Sequence, residues 1–406
     1  MELTTIAATT AWLAIVGAAW VWRSRTYAMF AAVVLGLPTL IGLALRDHLG
    51  PLGWGVPYLQ LALAMHLSAL MIRPRMRPTW FRVAVSIPGL WFAACTFLAV
   101  PWALLVAVGL PPWGAWLPFA LGALGLVQSL FTREETIDIV LDGESVPRLA
   151  RHSAGSRRSQ DDAREHPRQL RVVQISDPHI GAFMSVERLR AICQRAVERE
   201  PDLVLVTGDI MTMESHDAAV VTRALAPLAA MQGRVFACHG NHDHEAPEVI
   251  AQAYEELGIR LLVDEAERVD TPAGPVEILG LDYRWRGRDA HLAEVCARWP
   301  RRRDCPRLAL LHDPGAFVHL PEGTADLVFS GHTHGGQVGL LSLGLPHTFL
   351  SLVSSIPDHG LWARGRDRLY VHRTTGHYGF PIRLGVPAEQ SLLRITFSEP
   401  ATADPR

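Results

Sequence analysis

Apolar residues dominate the first 131 positions of the chain and form only short, interrupted runs afterwards. Long apolar runs cover residues 3–22, 27–45, 55–72, 83–108 and 113–131. About 20 consecutive apolar residues cross a bilayer, so each run is long enough or nearly so. The pattern therefore predicts a transmembrane region at 1–131, made of about five α-helices.

The composition of residues 1–131 also suits a membrane. Only nine of these residues are charged, and the region holds nine of the 12 tryptophans, several of them near the ends of the runs. Tryptophan is enriched at membrane–water interfaces, whereas a soluble helix needs a polar face. The first run lacks the basic start of a signal peptide and more runs follow it, so we interpret it as a membrane helix.

Arginines between the runs predict the orientation of the region. Two arginines follow the first run, four lie after the third at positions 73, 75, 77 and 82, and the loop after the fourth carries no charge. Because arginine-rich loops stay in the cytoplasm, five spans place the amino terminus outside. Everything after residue 131 is then cytoplasmic, in a multi-pass protein of the inner (plasma) membrane. The run 83–108 contains Pro88 and Pro101, and the downstream domain would change sides if this run did not cross.

Residues 132–169 connect the membrane region to the rest of the chain. TREETIDIVLDGESVP at 132–147 predicts a strand followed by turn residues. The next stretch, RHSAGSRRSQDDAREHPRQ, is charged and has no apolar period, which predicts a flexible linker or a loop insertion. Residues 398–406 form a short tail.

From Leu170 onward, short apolar runs stop abruptly at polar residues. RVVQIS ends at Asp177, DLVLVT at Gly208, RVFACH at Gly240, RLALL at His312 and ADLVFS at Gly331. Residues 185–200 have helical periodicity, and further helical stretches lie near 216–230 and 246–257. Strand–helix–strand alternation predicts an α/β domain, in which ligand sites lie at the carboxyl ends of the strands.

Polar side chains at these strand ends are of the types that bind divalent metals. They are Asp177, His179, Asp209, Asn241, His312, His332 and His334. Carboxylate, amide and imidazole groups suit two divalent ions with one bridging carboxylate, an arrangement that clamps the attacking and leaving oxygens of a phosphoryl displacement. His332 and His334 lie on alternate positions among glycines, so each imidazole is expected to reach a different metal.

The motifs SDPH, GD, GNHD, H and GHTHGGQ occur in this order, each at a strand end. At these residues the chain resembles the calcineurin-like metallophosphoesterases, most closely the bacterial branch with an amino-terminal membrane segment. The resemblance covers 136–397. It implies a metal-dependent phosphoric ester hydrolase whose catalytic domain, 170–397, is a four-layer α/β/β/α sandwich.

The resemblance also implies the roles of the site residues. Two divalent ions are expected, with manganese favoured and iron, zinc or magnesium as alternatives. The first ion is implied to bind Asp177, His179, Asp209 and His334. The second is implied to bind Asp209, Asn241, His312 and His332, so that Asp209 bridges. His242 is implied to contact the phosphate or protonate the leaving oxygen, and Asp243 to orient His242. No substrate-binding residue is assigned from the sequence.

The sequence departs from the family pattern in a few places. Pro178 stands where leucine is usual, and His312 is followed by Asp-Pro in place of Asn-Pro. The stretch from Arg373 to Arg383 is looser than the glycine-rich form of the family, which leaves substrate contacts there open.

Other conspicuous residues have an ordinary interpretation beside a functional one. His239 and His244 flank the third motif, and we expect a structural histidine and a solvated loop histidine. The arginines of YRWRGR at 283–288 could hold a second phosphate, although solvent exposure is the preferred interpretation. The apolar segment 338–357 predicts either core strands with a loop or a lip that enters the bilayer beside the site.

The overall composition excludes several partners and chemistries. The net charge of −2 indicates no nucleic-acid partner, and no pattern indicates a protein partner. All 38 basic residues are arginine, which excludes Schiff-base and phosphate-loop lysines. The five cysteines form no CxxC motif, so neither a disulfide framework nor a cysteine zinc site is indicated.

The leading hypothesis is a membrane-anchored phosphoesterase with the bilayer and a phosphoester as partners. It would hydrolyse a phosphodiester or pyrophosphate, for example in a lipid or a nucleotide-lipid of the UDP-diacylglucosamine type. The alternatives are a phosphodiesterase of soluble nucleotides and a catalytically idle membrane sensor that keeps its metals for stability. An intact His242 argues against the idle sensor, because a purely structural site does not need it.

Overall fold

The computed structural model describes residues 2–152, 156–159, 164, 168–377 and 379–397. The first part is helical and the remainder is an α/β domain, so the predicted order of a helical membrane region and an α/β domain is confirmed. The helices of the first part are α1 (Glu2–Trp22), α2 (Arg25–Leu45), α3 (Val56–Ile72), α4 (Thr79–Phe81), α5 (Ile87–Leu98), α6 (Val100–Ala107) and α7 (Leu117–Ser129).

Four stretches of this helical bundle are long and apolar enough to cross a membrane. They are Thr5–Trp22, Arg25–His48, Gly50–Ile72 and Thr79–Leu98. The fifth predicted run instead contains α7, whose 13 residues extend about 20 Å, less than the roughly 30 Å of a bilayer core. This short helix packs against α5, where the rings of Trp91 and Phe119 meet edge to face at 6.3 Å.

The prolines of the fourth run lie where the helix is irregular. Pro88 follows a π-helical turn, Arg82–Ser86, that joins α4 to α5, and Pro101 follows the turn between α5 and α6. Proline has no backbone N–H to donate, and the carbonyl of Ala84, four residues before Pro88, instead accepts a hydrogen bond from the hydroxyl of Tyr58. The run 83–108 is therefore helical along nearly its whole length despite its prolines.

Two seven-stranded sheets form the α/β domain. The strands of the first sheet are β1 (Thr132–Leu141), β3 (Ser156–Ser159), β4 (Gln169–Ile175), β5 (Leu203–Val206), β6 (Val235–Ala237), β7 (Arg260–Leu261) and β14 (Ala388–Phe397). Those of the second are β2 (Val146–Arg151), β8 (Glu265–Thr271), β9 (Gly274–Leu281), β10 (Arg307–Leu311), β11 (Leu327–Ser330), β12 (Gly360–Gly365) and β13 (Asp367–Val371).

Hydrogen bonding orders the strands as β3-β1-β14-β4-β5-β6-β7 and β2-β12-β13-β11-β10-β9-β8. The strands β4 to β7 are parallel, as are β9, β10, β11 and β13. Parallel neighbours need crossover connections. Four of these contain the helices α8 (Val186–Glu198), α9 (Ala218–Leu225), α10 (Pro247–Leu257) and α11 (Arg288–Arg298). A further short helix, α12 (Phe349–Val353), lies in the segment 338–357.

Apolar clusters show how the layers pack, because alternate residues of a strand point to opposite faces of its sheet. In β4, Val173 and Ile175 belong to a cluster with α8, α9 and α10, whereas Val172 belongs to a cluster shared by both sheets. The shared cluster contains Phe236 of the first sheet and Phe329 of the second, so the two sheets face each other. A third cluster packs α11 against the second sheet.

The α/β domain packs against one end of the bundle. Nε of Arg82 donates a hydrogen bond to the carbonyl of Ala182 at 2.9 Å. The backbone N–H of Arg383 donates to the carbonyl of Gly125 in α7 at 3.0 Å. Phe380 packs against buried residues of α2, α3 and α5. The domain therefore touches the bundle both near the loop between α3 and α4 and at the end of α7.

The predicted linker is partly a strand. Residues Ser156–Ser159 pair antiparallel with β1, which corrects the linker prediction at those positions. Backbone pairing at a sheet edge needs no apolar period, so the sequence pattern could not reveal it. The linker residues 153–155, 160–163 and 165–167, and the tail 398–406, lie outside the described residues.

Candidate metal centre

Loops that follow five strands bring the predicted ligands together. Asp177 and His179 follow β4, Asp209 follows β5, Asn241 follows β6, His312 follows β10, and His332 and His334 follow β11. The first three strands belong to the first sheet and the other two to the second. The ligands therefore meet at one edge of the two facing sheets, where the carboxyl ends of the strands lie.

One group of ligand atoms comes from Asp177, His179 and His334, and these atoms lie within 4.8 Å of one another. The Nε2 atoms of His179 and His334 are 3.2 Å apart, and their rings are stacked at 17°. Nε2 of His334 lies 3.5 Å from Oδ1 of Asp177. Oδ2 of Asp209 lies 3.7 Å from Nε2 of His179, so this carboxylate adjoins the first group.

A second group of ligand atoms comes from Asp209, His312 and His332. Nε2 of His312 lies 3.3 Å from Oδ2 of Asp209 and 3.1 Å from Nδ1 of His332. The same Nε2 atom lies 3.2 Å from Oδ1 of Asn241. Oδ2 of Asp209 is therefore close to both groups, in the position of a bridging carboxylate, and all seven predicted ligands are brought together.

The donor atoms have the spacing that metal ions require. Ligand atoms about 2.0–2.2 Å from one ion lie about 3–3.6 Å from each other. The Nε2 atoms of His179 and His334, at 3.2 Å, and the contacts of His312 with Asp209 and Asn241, at 3.3 and 3.2 Å, fall in this range. Imidazole, carboxylate and amide donors are a mixed set that suits manganese, iron or zinc. The residues present therefore fit two divalent ions.

Five of the seven predicted ligands adopt a left-handed backbone conformation. They are Asp177, His179, Asp209, His332 and His334, with φ between 49° and 63°. Such a conformation costs a non-glycine residue on the order of 1–3 kcal/mol and persists only where the surrounding structure imposes it. The strain is concentrated at the ligands, which indicates that aiming these side chains at the centre outweighs backbone preference.

Hydrogen bonds to backbone carbonyls fix the orientation of two ligand rings. Nδ1 of His312 lies 2.7 Å from the carbonyl oxygen of Thr207, and Nδ1 of His179 lies 3.3 Å from that of Met211. A carbonyl can only accept, so each Nδ1 carries the proton and donates. In the neutral form of each ring, Nε2 is then the unprotonated atom, which is the one that can bind a metal.

Gly331 is required by the close approach of two loops. A Cβ at this position would overlap the hydroxyl of Ser176 and the carboxylate of Asp177. The approach allows the backbone N–H of His332 to donate to both carboxylate oxygens of Asp177 at 3.0 Å. The glycine at the start of the GHTHGG stretch therefore serves the position of Asp177 as well as the turn itself.

Electrostatics at the centre favours positive charge. Burial opposes ionisation of Asp177, but the imidazoles of His312 and His334 outweigh it and hold the pKa of this carboxyl well below its ordinary value. Burial opposes protonation of His312, but the carboxylates of Asp209 and Asp177 outweigh it and raise its pKa to about 10. Burial lowers the pKa of His179 to about 3. The two carboxylates thus attract a cation strongly, the role that divalent ions take in such a centre.

The structure gives His242 and Asp243 different neighbours from those predicted. The carboxylate of Asp243 accepts hydrogen bonds from the backbone N–H groups of Asp209, Ile210 and Gly240 at 2.7–3.0 Å. Asp243 therefore holds the backbone around the bridging ligand, which corrects its predicted role at the His242 ring.

Glu245, which the sequence did not single out, makes the contact to His242. Its Oε1 lies 2.7 Å from Nδ1 of His242. Burial opposes protonation of His242, but the hydrogen bond with Glu245 and the charges of Asp209, Glu245 and Asp243 together outweigh it and raise the pKa of the imidazole. Glu245 follows His242 by three residues, and this spacing in a helical turn was the signal that could have identified it.

A third group of possible ligands lies next to the centre. His239 and His244 both contact Oδ1 of Asp282, at 3.3 and 3.0 Å. His239 was expected to be structural and His244 to be a solvated loop residue, and the structure gives both the same carboxylate partner. Asp282 directly follows β9, so the rule that identified the other strand-end residues could have identified it as well.

The loop from 373 to 383 supports the centre from behind. Arg373 forms buried ion pairs with Glu135 at 2.6 Å and Glu389 at 3.0 Å. Arg383 is fully buried and donates to the hydroxyl of Thr374 at 2.6 Å, and that hydroxyl lies 3.2 Å from Nδ1 of His334. Both arginines are therefore committed to structure and are poor candidates for substrate contacts.

Residues 170–336 match the family model of the calcineurin-like phosphoesterases. The chain carries a calcineurin-like metallophosphoesterase domain. This family depends on two metal ions, and the two ligand groups described above lie in the matched part of the metallophosphoesterase domain.

The metallophosphoesterase domain is similar to a protein named as a phosphodiesterase and to one named as a transmembrane protein. The domain is 29% identical over 233 residues to the phosphodiesterase YaeI of Escherichia coli strain K12, which covers 56% of this chain and 82% of YaeI. It is 28% identical over 243 residues to the transmembrane protein with metallophosphoesterase domain of Bos taurus, which covers 54% of this chain and 51% of the bovine protein. The match thus spans about half of the bovine relative.

Among solved structures, the NAD nucleotidase NadN of Haemophilus influenzae is similar with a TM-score of 0.30 and 16% identity, over 42% of this chain and 39% of that one.

Proposed function

We propose that the protein is a membrane-anchored phosphoesterase that uses two divalent metal ions, manganese by expectation, to hydrolyse a phosphodiester or pyrophosphate bond of a lipid or nucleotide-lipid. The position of the Asp209 carboxylate, which belongs to one ligand group and lies 3.7 Å from His179 of the other, carries the proposal of hydrolysis. Two bound ions would polarise phosphoryl oxygens and lower the pKa of water to form a nucleophile near neutral pH.

The protein's own residues supply proton transfer and positioning. The ring of His242 lies 5.4 Å, centroid to centroid, from that of the ligand His179, and its side chain is 18% exposed. It can therefore reach a phosphate at the centre from the solvent side. Glu245 favours the protonated imidazole, the form that donates to a phosphate or to a leaving oxygen. An acid of this kind is not needed to hold metals, which supports an enzyme over an idle sensor.

The apolar lip, defined as residues 338–357, supports a lipid substrate. Leu343, Phe349, Leu352 and Val353 are 60–76% exposed, so this segment is not core. It begins directly after the GHTHGGQ stretch, and the hydroxyl of Ser342 accepts a hydrogen bond from the amide of Gln128 near the end of α7 at 3.2 Å. An exposed apolar surface beside both the bundle and the metal centre suits the bilayer interface.

The docking of the domain supports a cytoplasmic active site. The domain contacts Arg82, and Met76 of the preceding loop packs against the cluster of the first sheet. This loop carries the arginines that the positive-inside rule places in the cytoplasm. The domain contacts the arginine loop whether or not α7 counts as a span, and this contact supports placing both on one side.

Hydrolysis by the purified full-length protein in detergent with Mn²⁺ tests the proposal. We expect release of p-nitrophenolate from bis-(p-nitrophenyl) phosphate and its loss on chelation. A panel of membrane lipid extract, a UDP-linked lipid and soluble cyclic nucleotides then separates lipid from soluble substrates. Two bound ions without hydrolysis of any probe would contradict the enzyme, and preference for the soluble nucleotides would contradict the lipid.

A further inference from the structure

A cavity of about 330 Å³ lies between the membrane bundle and the metallophosphoesterase domain. Its walls include Phe30, Val34 and Leu67 from the bundle and Phe183, Met213 and Phe380 from the domain. This volume is within the range of small-molecule sites, roughly 300–1,000 Å³. Because both walls are largely apolar, the cavity suits a hydrocarbon ligand better than water.

The cavity is lined by residues of the loops that carry predicted metal ligands, although none of those ligands lines it. Phe183 follows the ligand His179 by four residues, and Met213 follows the ligand Asp209 by four. The backbone N–H of Gly376, next to the cavity residue His377, donates to the carbonyl of Asp177 at 3.3 Å. A molecule in the cavity therefore lies beside the two loops that carry three of the metal ligands.

The cavity also reaches the surface that a bilayer would cover. Phe30 lines the cavity and is 51% exposed on the outer face of α2. It lies five residues after the start of α2 at Arg25, about 8 Å along the helix at 1.5 Å per residue. This depth corresponds to the boundary between headgroups and acyl chains, which extends about 5–10 Å below the interface.

Two polar side chains that line the cavity have a buried atom without a hydrogen-bond partner among the described residues, Oε1 of Glu214 and Nε2 of His377. His377 is 4% exposed. Its ring packs on Phe183 with centroids 4.9 Å apart, between the metal-ligand loop and the apolar part of the cavity. A buried polar atom without a partner costs about 1–3 kcal/mol, so a ligand oxygen at this position would be favourable.

We propose that the cavity binds an acyl chain of a membrane lipid whose phosphoryl group lies at the metal centre, with Nε2 of His377 hydrogen-bonded to an oxygen of the lipid's glycerol or ester region. The inference rests on the proposed function and names the part of the protein that selects a lipid. The acyl chain enters from the bilayer beside Phe30. The phosphoester bond that is cleaved lies on the side of His377 that faces the metal centre.

Two probes with the same reacting group test the inference on the full-length protein in one detergent with Mn²⁺. They are p-nitrophenyl dodecyl phosphate and p-nitrophenyl methyl phosphate, which differ only in the alkyl chain. We expect a KM for the dodecyl probe at least tenfold lower. Val34→Trp, which fills the cavity, should raise the KM ratio of dodecyl to methyl probe at least tenfold.

Val33→Trp is the matched control, because Val33 neighbours Val34 on α2 but is 52% exposed and does not line the cavity. It should leave the KM ratio unchanged. Leu90→Trp fills the cavity from α5 and replaces Val34→Trp if that variant does not fold. Native mass spectrometry of lipid retained after purification gives a second readout, with loss expected in either filled variant and not in the control.

The outcomes separate this inference from the proposed function. Hydrolysis of both probes with a KM ratio and lipid content unaffected by either filling variant would overturn the cavity assignment and leave the phosphoesterase standing. Lipid retained by wild type and lost in the filled variants, with neither probe hydrolysed, would make the cavity a structural lipid site and overturn the substrate assignment. His377→Phe should raise the KM for a dioctanoylglycerol p-nitrophenyl phosphate and leave the KM for the dodecyl probe unchanged. Only the former has glycerol and carboxylic ester oxygens that Nε2 of His377 could contact.

Discussion

Nε of Arg82 donates a hydrogen bond to the carbonyl of Ala182 at 2.9 Å, and this contact ties the membrane bundle to the loop that carries His179. Arg82 belongs to the arginine-rich end of the bundle, and Ala182 lies three residues after a metal ligand. The candidate metal centre is therefore held at the end of the helical bundle that carries these arginines.

The first prediction is that a fluorescent reporter fused to the carboxyl terminus folds and fluoresces as a cytoplasmic protein. A reporter fused after truncation at Gly109, between α6 and α7, should lie outside and respond to an enzyme assay that works only there. The physical reason is that the arginine loop and the domain share one end of the bundle, whereas Gly109 lies at the other. A fluorescent reporter that is active when fused at Gly109 and inactive at the carboxyl terminus would mean the opposite orientation.

The second prediction is that Asp209→Asn lowers hydrolysis by more than about 10³-fold and reduces the content of both metals. Its carboxylate adjoins both ligand groups, so the change removes a negative charge from each. Elemental analysis of the purified protein measures the metals. Asp217→Asn is the matched control, because Asp217 caps α9 and asparagine caps equally well. Two retained metals and near wild-type turnover in Asp209→Asn would exclude the bridging role.

The third prediction separates proton transfer from metal binding. His242→Ala should keep both metals and lose about 10²–10⁴-fold in rate, the usual contribution of general acid–base catalysis. Glu245→Gln should show a smaller loss, because it removes the group that raises the pKa of His242 while the imidazole remains. His319→Ala, at an exposed histidine of the same domain, should change neither quantity. A fall in metal content in His242→Ala would make His242 a ligand.

The positions of the candidate ligands could be predicted from the sequence because each depends on a local rule. An apolar run that ends in Asp or His places that side chain at a strand end, and parallel strand ends meet at one edge. The seven candidate ligands could thus be named without knowing how the sheets face each other. The left-handed backbone of five of them could not be predicted, because such a conformation is imposed on each residue by the surrounding folded structure.

Contacts that depend on side-chain direction or on docking were not accessible from the sequence. Asp243 and Glu245 are both near His242 in the chain, and only the turn geometry decides which carboxylate meets the imidazole. The run that contains α7 looked long enough to be a span because apolar residues flank the helix in the sequence. In the structure these flanking residues form turns, so the helix itself is short. The cavity arises from two units that pack together, so no pattern within either unit reveals it.

The fourth prediction concerns pH and the buried Glu214. Burial raises the pKa of this carboxyl from 4.5 to about 7, although Arg82 and Arg77 oppose the rise. The folded protein therefore keeps a proton that the unfolded chain releases between these two values, so stability falls as the pH rises through that window. Glu214→Gln should match wild type below pH 4.5 and exceed it by on the order of 1–3 kcal/mol above pH 7.

Thermal unfolding in detergent at pH 4.5 and pH 8 measures this difference between Glu214→Gln and wild type. Glu255→Gln is the control, since Glu255 is an exposed carboxylate on α10 and should give no pH-dependent difference. Equal unfolding temperatures of wild type and Glu214→Gln at pH 8 would show that Glu214 is solvated.

The last prediction concerns the apolar lip. Leu343 and Trp285 are each 74% exposed, but Leu343 lies in the lip beside α7 and Trp285 on a loop of the domain after β9. A fluorophore attached to Leu343→Cys should be quenched by nitroxide-labelled lipids in proteoliposomes, whereas one on Trp285→Cys should not. Four of the five native cysteines are buried, and omission of both substitutions gives the background labelling. Each large apolar side chain buried in lipid contributes roughly 1.5–3 kcal/mol, so a lip of several such residues should stay in the bilayer. Quenching at Leu343→Cys as low as that at Trp285→Cys would show that the lip stays in water. The proposal of a lipid substrate would then rest on the cavity alone.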